Sequence, residues 1–133
     1  MVHHPENVQL AQENRAMSSA ERASERAADS AELSARFFKV LGDPTRVRLL
    51  SLLLDAPEVG RTVSELVAAV GVPQGRVSTH LGCLRWCGLV QTSRSGKYTY
   101  YRIADPRVRD LLTVSGAMIR DYAAGIASCG VIR

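Results

Sequence analysis

Cys83 and Cys87 stand four residues apart in the run Val77-Ser-Thr-His-Leu-Gly-Cys-Leu-Arg-Trp-Cys-Gly-Leu-Val90. An α-helix turns once in about 3.6 residues, so both thiols would lie on one face, about 40° apart around the axis. Two thiols so placed can hold one soft metal ion. The 133-residue chain has three cysteines, and the other is Cys129 near its end. An odd count argues against a secreted disulfide framework. The chemistry of this chain therefore turns on what positions Cys83 and Cys87, and on whether Cys129 can join them.

Residues 1–17 are polar and aperiodic and predict a disordered segment in which Met17 is an alternative start. His3 and His4 fall in it, and no signal peptide is legible. The Ala/Ser/Glu/Arg-rich stretch from Ser18 predicts a marginal helix. Leu33, Phe37, Val40 and Leu41 then follow helical spacing up to Asp43-Pro44, where the residue before proline leaves the helical region. Asp43 as N-cap and Pro44 at the first position open a helix whose apolar stripe reads Val47, Leu50, Leu53 and Leu54. Residues 55–60 read as a turn. Thr62 and Glu65 have capping-box spacing at the head of a short helix that Gly71 ends. Pro73 opens the next helix, which carries the two thiols and stops at Gly88.

Two short helices joined by Gly71-Val72 form a helix-turn-helix pattern. Leu89–Arg94 and Lys97–Ile103, split by Ser95-Gly96, predict a β-hairpin directly after it. A final helix is expected over about 106–124, leaving a tail at 125–133 that carries Cys129. The fold class is mainly α with a β-hairpin wing (α+β), a winged helix-turn-helix spanning 18–124. No stretch reaches the roughly 20 apolar residues of a membrane span, so a cytoplasmic protein without a membrane partner is expected.

Charge agrees with that pattern. The chain carries +4 overall, yet residues 1–30 hold three arginines against five acids. From Arg76 to Arg109 there are seven basic residues against the single acid Asp105. Concentrated positive charge favours phosphate contact. A groove-reading helix enters double-stranded DNA by its N-terminal part, which here offers Gln74, Gly75, Arg76, Ser78, Thr79 and His80. Gln suits adenine, Arg suits guanine, and the hydroxyls suit phosphate or base edges. Val77, Leu81 and Leu84 share the opposite face. The wing adds Arg94, Lys97 and Tyr98 for backbone or minor-groove contact.

Leu41-Gly-Asp-Pro-Thr-Arg46, Val77-Ser-Thr-His-Leu81, Leu84-Arg85, Gly88-Leu-Val90 and Tyr100-Tyr101-Arg102 resemble the winged-helix repressors of the ArsR/SmtB family over about residues 33–123. The resemblance implies a homodimer joined mostly by its first and last helices, bound to a two-fold operator. It also implies release of that operator by an inducer, usually a metal ion. Family sites differ in position. The arsenic-type motif needs cysteines around Val63–Leu66, where there are none. The zinc-type site on the last helix needs histidines; Asp105 matches its first ligand, but Arg107 follows and that helix has no histidine.

A third arrangement is similar to the cadmium/lead-sensing members of the family, in which two thiolates of the reading helix are joined by one from the C-terminal tail across the dimer interface. It carries over to Cys83, Cys87 and Cys129, and whether Cys129 comes from the same or the other subunit is left open. Three thiolates suit Cd(II) or Pb(II) as inducer, and Hg(II) as well, while Zn(II) prefers a fourth ligand and binds more weakly. Two alternatives use the same thiols: a redox-sensing repressor of the same fold working through Cys83 and Cys87, and a small metal-buffering thiol protein. An enzyme is not expected, since no base is placed beside a nucleophile.

Overall fold

The computed structural model describes residues 18–28 and 30–132. The expected disordered segment, with His3 and His4, lies outside them. The chain forms two compact units, Met1–Lys39 and Val40–Arg133. In the first, α1 covers Ser19–Ala28, and α2, Ala31–Leu41, runs on into the second unit. Ser18 and Ser30 cap their respective helices by accepting from the backbone N–H groups of Glu21 and Leu33. No residue of α2 is buried, and Phe37 and Phe38 meet edge to face at 5.7 Å between centroids.

The second unit continues with α3 (Pro44–Leu54), β1 (Arg61–Thr62), α4 (Val63–Val70), α5 (Gln74–Trp86), β2 (Val90–Ser95), β3 (Tyr98–Ile103) and α6 (Arg107–Ser128). Local signals set most of these boundaries. The Asp43 side chain accepts from the N–H groups of Thr45 and Arg46. Thr62 and Glu65 form the reciprocal capping box. Gly71 and Gly88 adopt positive φ, as the ends of α4 and α5 require.

The core gathers Leu49, Leu50 and Leu53 from α3, Leu66 from α4, Val77, Leu81 and Leu84 from α5, then Leu89, Val90 and Val108. The α3 stripe differs from expectation. Leu49 is buried, while Val47 and Leu54 sit at the margin, because α3 is apolar on several sides and only its neighbours choose the inward one. The reading helix α5 is fixed by its three fully buried residues, as the sequence pattern predicts.

The wing is a three-stranded antiparallel sheet in the order β1-β3-β2. Strand β1 was not expected. Its Arg61 and Thr62 pair with Tyr101 and Tyr100. The hairpin turn falls at Gly96-Lys97, one residue later than read, with Gly96 at φ +63°, which matches a two-residue loop with glycine first. Helix α6 also runs on to Ser128 instead of ending near 124. It is broken at Tyr122 (φ −126°, ψ 22°), and Cys129 is its C-cap. Only Val108 of α6 is fully buried, and Val114, Met118, Ile119, Tyr122 and Ile126 are exposed. No helix among the described residues is long and apolar enough to cross a membrane.

Candidate metal and nucleic-acid site

Helix α5 carries the residues expected to face DNA at its start and two of the three expected metal ligands at its end. At its start, Gln74, Gly75, Arg76, Ser78 and Thr79 are exposed, as a groove-facing surface requires. The Thr79 hydroxyl donates back to the Gly75 carbonyl at 3.0 Å, so its oxygen is offered mainly as an acceptor. On the wing, Arg94, Lys97 and Tyr98 are exposed, and the Lys97 ammonium stands 5.3 Å over the Tyr98 ring. That contact keeps a cation and an aromatic face together at the tip.

His80 behaves differently from the other residues expected to face DNA. Its side chain is only 13% exposed. It turns toward the start of α3, where Arg46 Nη1 lies 3.2 Å from its Nδ1 and Asp43 Oδ1 lies 3.8 Å from its Nε2. An arginine can only donate, so Nδ1 accepts and Nε2 carries the proton toward the carboxylate. Arg46 also donates through Nε to the Val40 carbonyl. His80 thus ties the middle of α5 to the head of α3. The sequence signal for this was the pair Asp43 and Arg46, whose joint use with His80 sequence reasoning missed.

Burial raises the Asp43 pKa, but the Arg46 N–H, the His80 ring, the Thr45 N–H and the Arg46 guanidinium outweigh it and hold the carboxyl below its ordinary 3.8. A folded-state pKa below the unfolded one stabilises the fold above the unfolded value, and that contribution is lost as pH falls through the folded value. Asp105 acts the same way: its bonds to the Arg107 side chain and N–H bring it to about 2. The melting temperature should therefore hold steady above about pH 5 and fall from about pH 4 downward. Asp43→Ala should flatten part of that fall and lower stability at pH 7 by about 1 kcal/mol through the lost cap. Thermal unfolding of parent and variant followed by circular dichroism from pH 7 to 2 checks both.

At the other end of α5, Cys83 is half-buried and Cys87 is exposed, and both are free thiols. The Cys87 N–H donates to the Cys83 carbonyl at 3.1 Å, which sets the two residues one helical turn apart. Burial and the neighbouring Cys83 push the Cys87 thiol above its ordinary value, with Arg46 opposing. The pair is thus close enough for both sulfurs to meet one ion, and binding would have to expel protons. Cys129 is also free and half-buried. Among the described residues no three of His, Cys, Asp and Glu come together as a metal site. A single protomer therefore supplies the thiol pair without the third sulfur.

The profile of the bacterial regulatory proteins of the arsR family matches residues 43–92, from the Asp43 cap through α5 into β2. A probable mercury resistance operon repressor of Streptomyces lividans is 43% identical over 98 residues, covering 74% of this chain and 76% of that one. The chain belongs to the arsR family. The regulator CmtR of Mycobacterium tuberculosis is 42% identical over 71 residues, 53% of this chain and 58% of its own length. A homodimeric winged helix-turn-helix DNA-binding domain of Mycobacterium bovis, solved in solution, superposes with a TM-score of 0.59 at 28% identity, over 80% of this chain and 89% of that one. The winged helix-turn-helix is thus the family's fold as well as the arrangement described above.

Proposed function

We propose that this arsR-family regulator is a metal-responsive transcriptional repressor, a cytoplasmic homodimer without catalytic activity. The apo dimer binds operator DNA through two copies of α5 and its wing, and a soft cation weakens that complex. The observation that carries the reading is the placing of Cys83 and Cys87 one turn apart at the end of the same helix whose first turns present Gln74, Arg76, Ser78 and Thr79. Whatever pulls on the thiol pair pulls on the DNA-reading element.

Cys83 and Cys87 would hold the cation together with Cys129 of the partner subunit, since one protomer does not gather three ligands among its described residues. The exposed apolar side of α6 supports a dimer: Val114, Met118, Ile119 and Tyr122 need a covering surface. Three soft sulfurs favour Cd(II), Pb(II) or Hg(II), with Zn(II) weaker. The mercury resistance repressor among its relatives supports a heavy-metal inducer. Three features work on the DNA side. Arg76 and Gln74 read base edges, Arg94 and Lys97 hold the backbone, and the Asp43–His80–Arg46 cluster transmits the position of α5 to α3.

The test is a gel shift on the DNA upstream of the chain's own gene, titrated with Cd(II), Pb(II), Hg(II), Zn(II) and arsenite. Operator binding should weaken by about 5–150-fold with the thiophilic cations, and by less with Zn(II). Affinity should fall steeply with salt, as expected for several phosphate contacts. Release by peroxide in the presence of a chelator, with no response to any cation, would sink the metal reading in favour of a redox sensor. Absence of salt-sensitive DNA binding would leave only a thiol metal buffer.

A further inference from the structure

Trp86, the single tryptophan of the chain, is 92% exposed at the last turn of α5. Large aromatic side chains left this bare mark a surface that something covers. Trp86 lies between the two thiols in a specific sense: it precedes Cys87 directly and sits one turn after Cys83, about 60° from it around the axis. At the other side of the ligand set, Cys129 is followed by Gly130, Val131 and Ile132, and the last two are 89% and 67% exposed. Each sulfur that would share a cation therefore has a bare apolar group beside it.

We infer that Trp86 is the docking site for the C-terminal segment of a second copy of this chain, with the partner's Val131 and Ile132 covering the indole ring when the partner's Cys129 joins Cys83 and Cys87. The inference rests on the three-sulfur reading above. Two residues of extended chain span about 7 Å, so a Cys129 held at the thiol pair brings Val131 within reach of the ring beside it. Gly130 leaves the backbone free to turn there. DNA is the competing occupant, and the geometry disfavours it. Trp86 is 12 residues from Gln74, about 18 Å along the helix. Base edges are contacted by the N-terminal residues of such a helix, and the ring lies several turns beyond them. The apolar contact adds affinity for the cation-bound state without adding a ligand, and so strengthens the switch.

Because Trp86 is the only tryptophan, all tryptophan emission comes from this ring. The experiment adds Cd(II) to the full-length dimer and follows two signals: the sulfur-to-metal charge-transfer absorbance and the wavelength and acrylamide accessibility of the emission. The charge-transfer band should appear together with a shift to shorter wavelength and a fall in accessibility of about half, as the ring is covered. Val131→Asp/Ile132→Asp should keep the charge-transfer band, bind Cd(II) about tenfold more weakly, and lose the emission shift. A normal band with no change in emission would overturn the docking while leaving the metal site standing. An emission shift that survives in the double variant would overturn it too. So would a shift caused by operator DNA without cation, which would assign the ring to DNA. No band at all would remove the three-sulfur site and the docking with it.

Discussion

Cys87→Ser is expected to bind operator DNA within about twofold of the parent and to show no release by Cd(II) or Pb(II), where the parent loses about 5–150-fold in affinity. The asymmetry follows from position. Cys87 is exposed at the end of α5 and takes no part in the core, so replacing sulfur by oxygen costs the fold little. As a ligand the hydroxyl is hard and does not ionise near neutral pH, so a soft cation loses one of its sulfurs. Cys83→Ser should behave alike, with a slightly larger stability cost because that side chain is half-buried. Cys129→Ser should also lose the response, and mixing it with Cys87→Ser in heterodimers separates the two geometries. If sulfurs come from both subunits, such a mixed dimer keeps one whole site. If they come from one chain, it keeps none. Fluorescence anisotropy on labelled operator, with and without Cd(II), reads every arm. A Cys83→Ser/Cys87→Ser protein that still responds fully would end the thiolate reading.

Gly60→Ala should be the most destabilising single-methyl change in the second unit. Gly60 has φ +97°, and a Cβ there would meet the Tyr101 carbonyl oxygen at 2.2 Å and its carbon at 2.9 Å. Both obstacles are backbone of the central strand, so neither can swing aside as a side chain could. Relief requires β1 to move off β3, which would break the pairing of Arg61 with Tyr101 and of Thr62 with Tyr100. Strain plus lost pairing should cost about 3 kcal/mol or more and lower the melting temperature by about 10 °C. Gly82→Ala is the natural comparison. Its added Cβ meets nothing within 4 Å, and in the middle of α5 alanine is the better helix former, so a gain of about 0.5–1 kcal/mol is expected. Urea unfolding of the two variants beside the parent checks the opposite signs. Equal destabilisation would show that the approach of Gly60 to Tyr101 does not hold the wing.

The boundaries that sequence reading placed correctly are those set by chemistry a few residues long. Asp43 with Pro44, Thr62 with Glu65, and the glycines 71 and 88 act within one turn of themselves, so neighbouring residues already contain the answer. The face of α5 was legible because Val77, Leu81 and Leu84 share one side at helical spacing and, Trp86 aside, the rest of its surface is polar or small. In α3 the same reasoning chose Val47 and Leu54 over Leu49, because a run of leucines gives no unique inward side. Strand β1 has two residues and exists only because β3 passes beside it. A pattern of alternation needs more length than that to be seen.

By itself, the order of residues determined the winged helix-turn-helix, the basic segment from Arg76 to Arg109, and the placing of two thiols one turn apart on the helix that presents Gln74 and Arg76. These are consequences of periodicity, capping and charge, all local to the chain. Tertiary structure decided the rest. His80 turns from the groove-facing side to Asp43 and Arg46, 34 residues away from the latter, because a half-buried ring needs partners that only folding brings near. Helix α6 carries on to Cys129, and within one protomer that sulfur gains no company from Cys83 and Cys87. Spacing along a chain sets which groups share a helix face, whereas meeting across helices depends on packing.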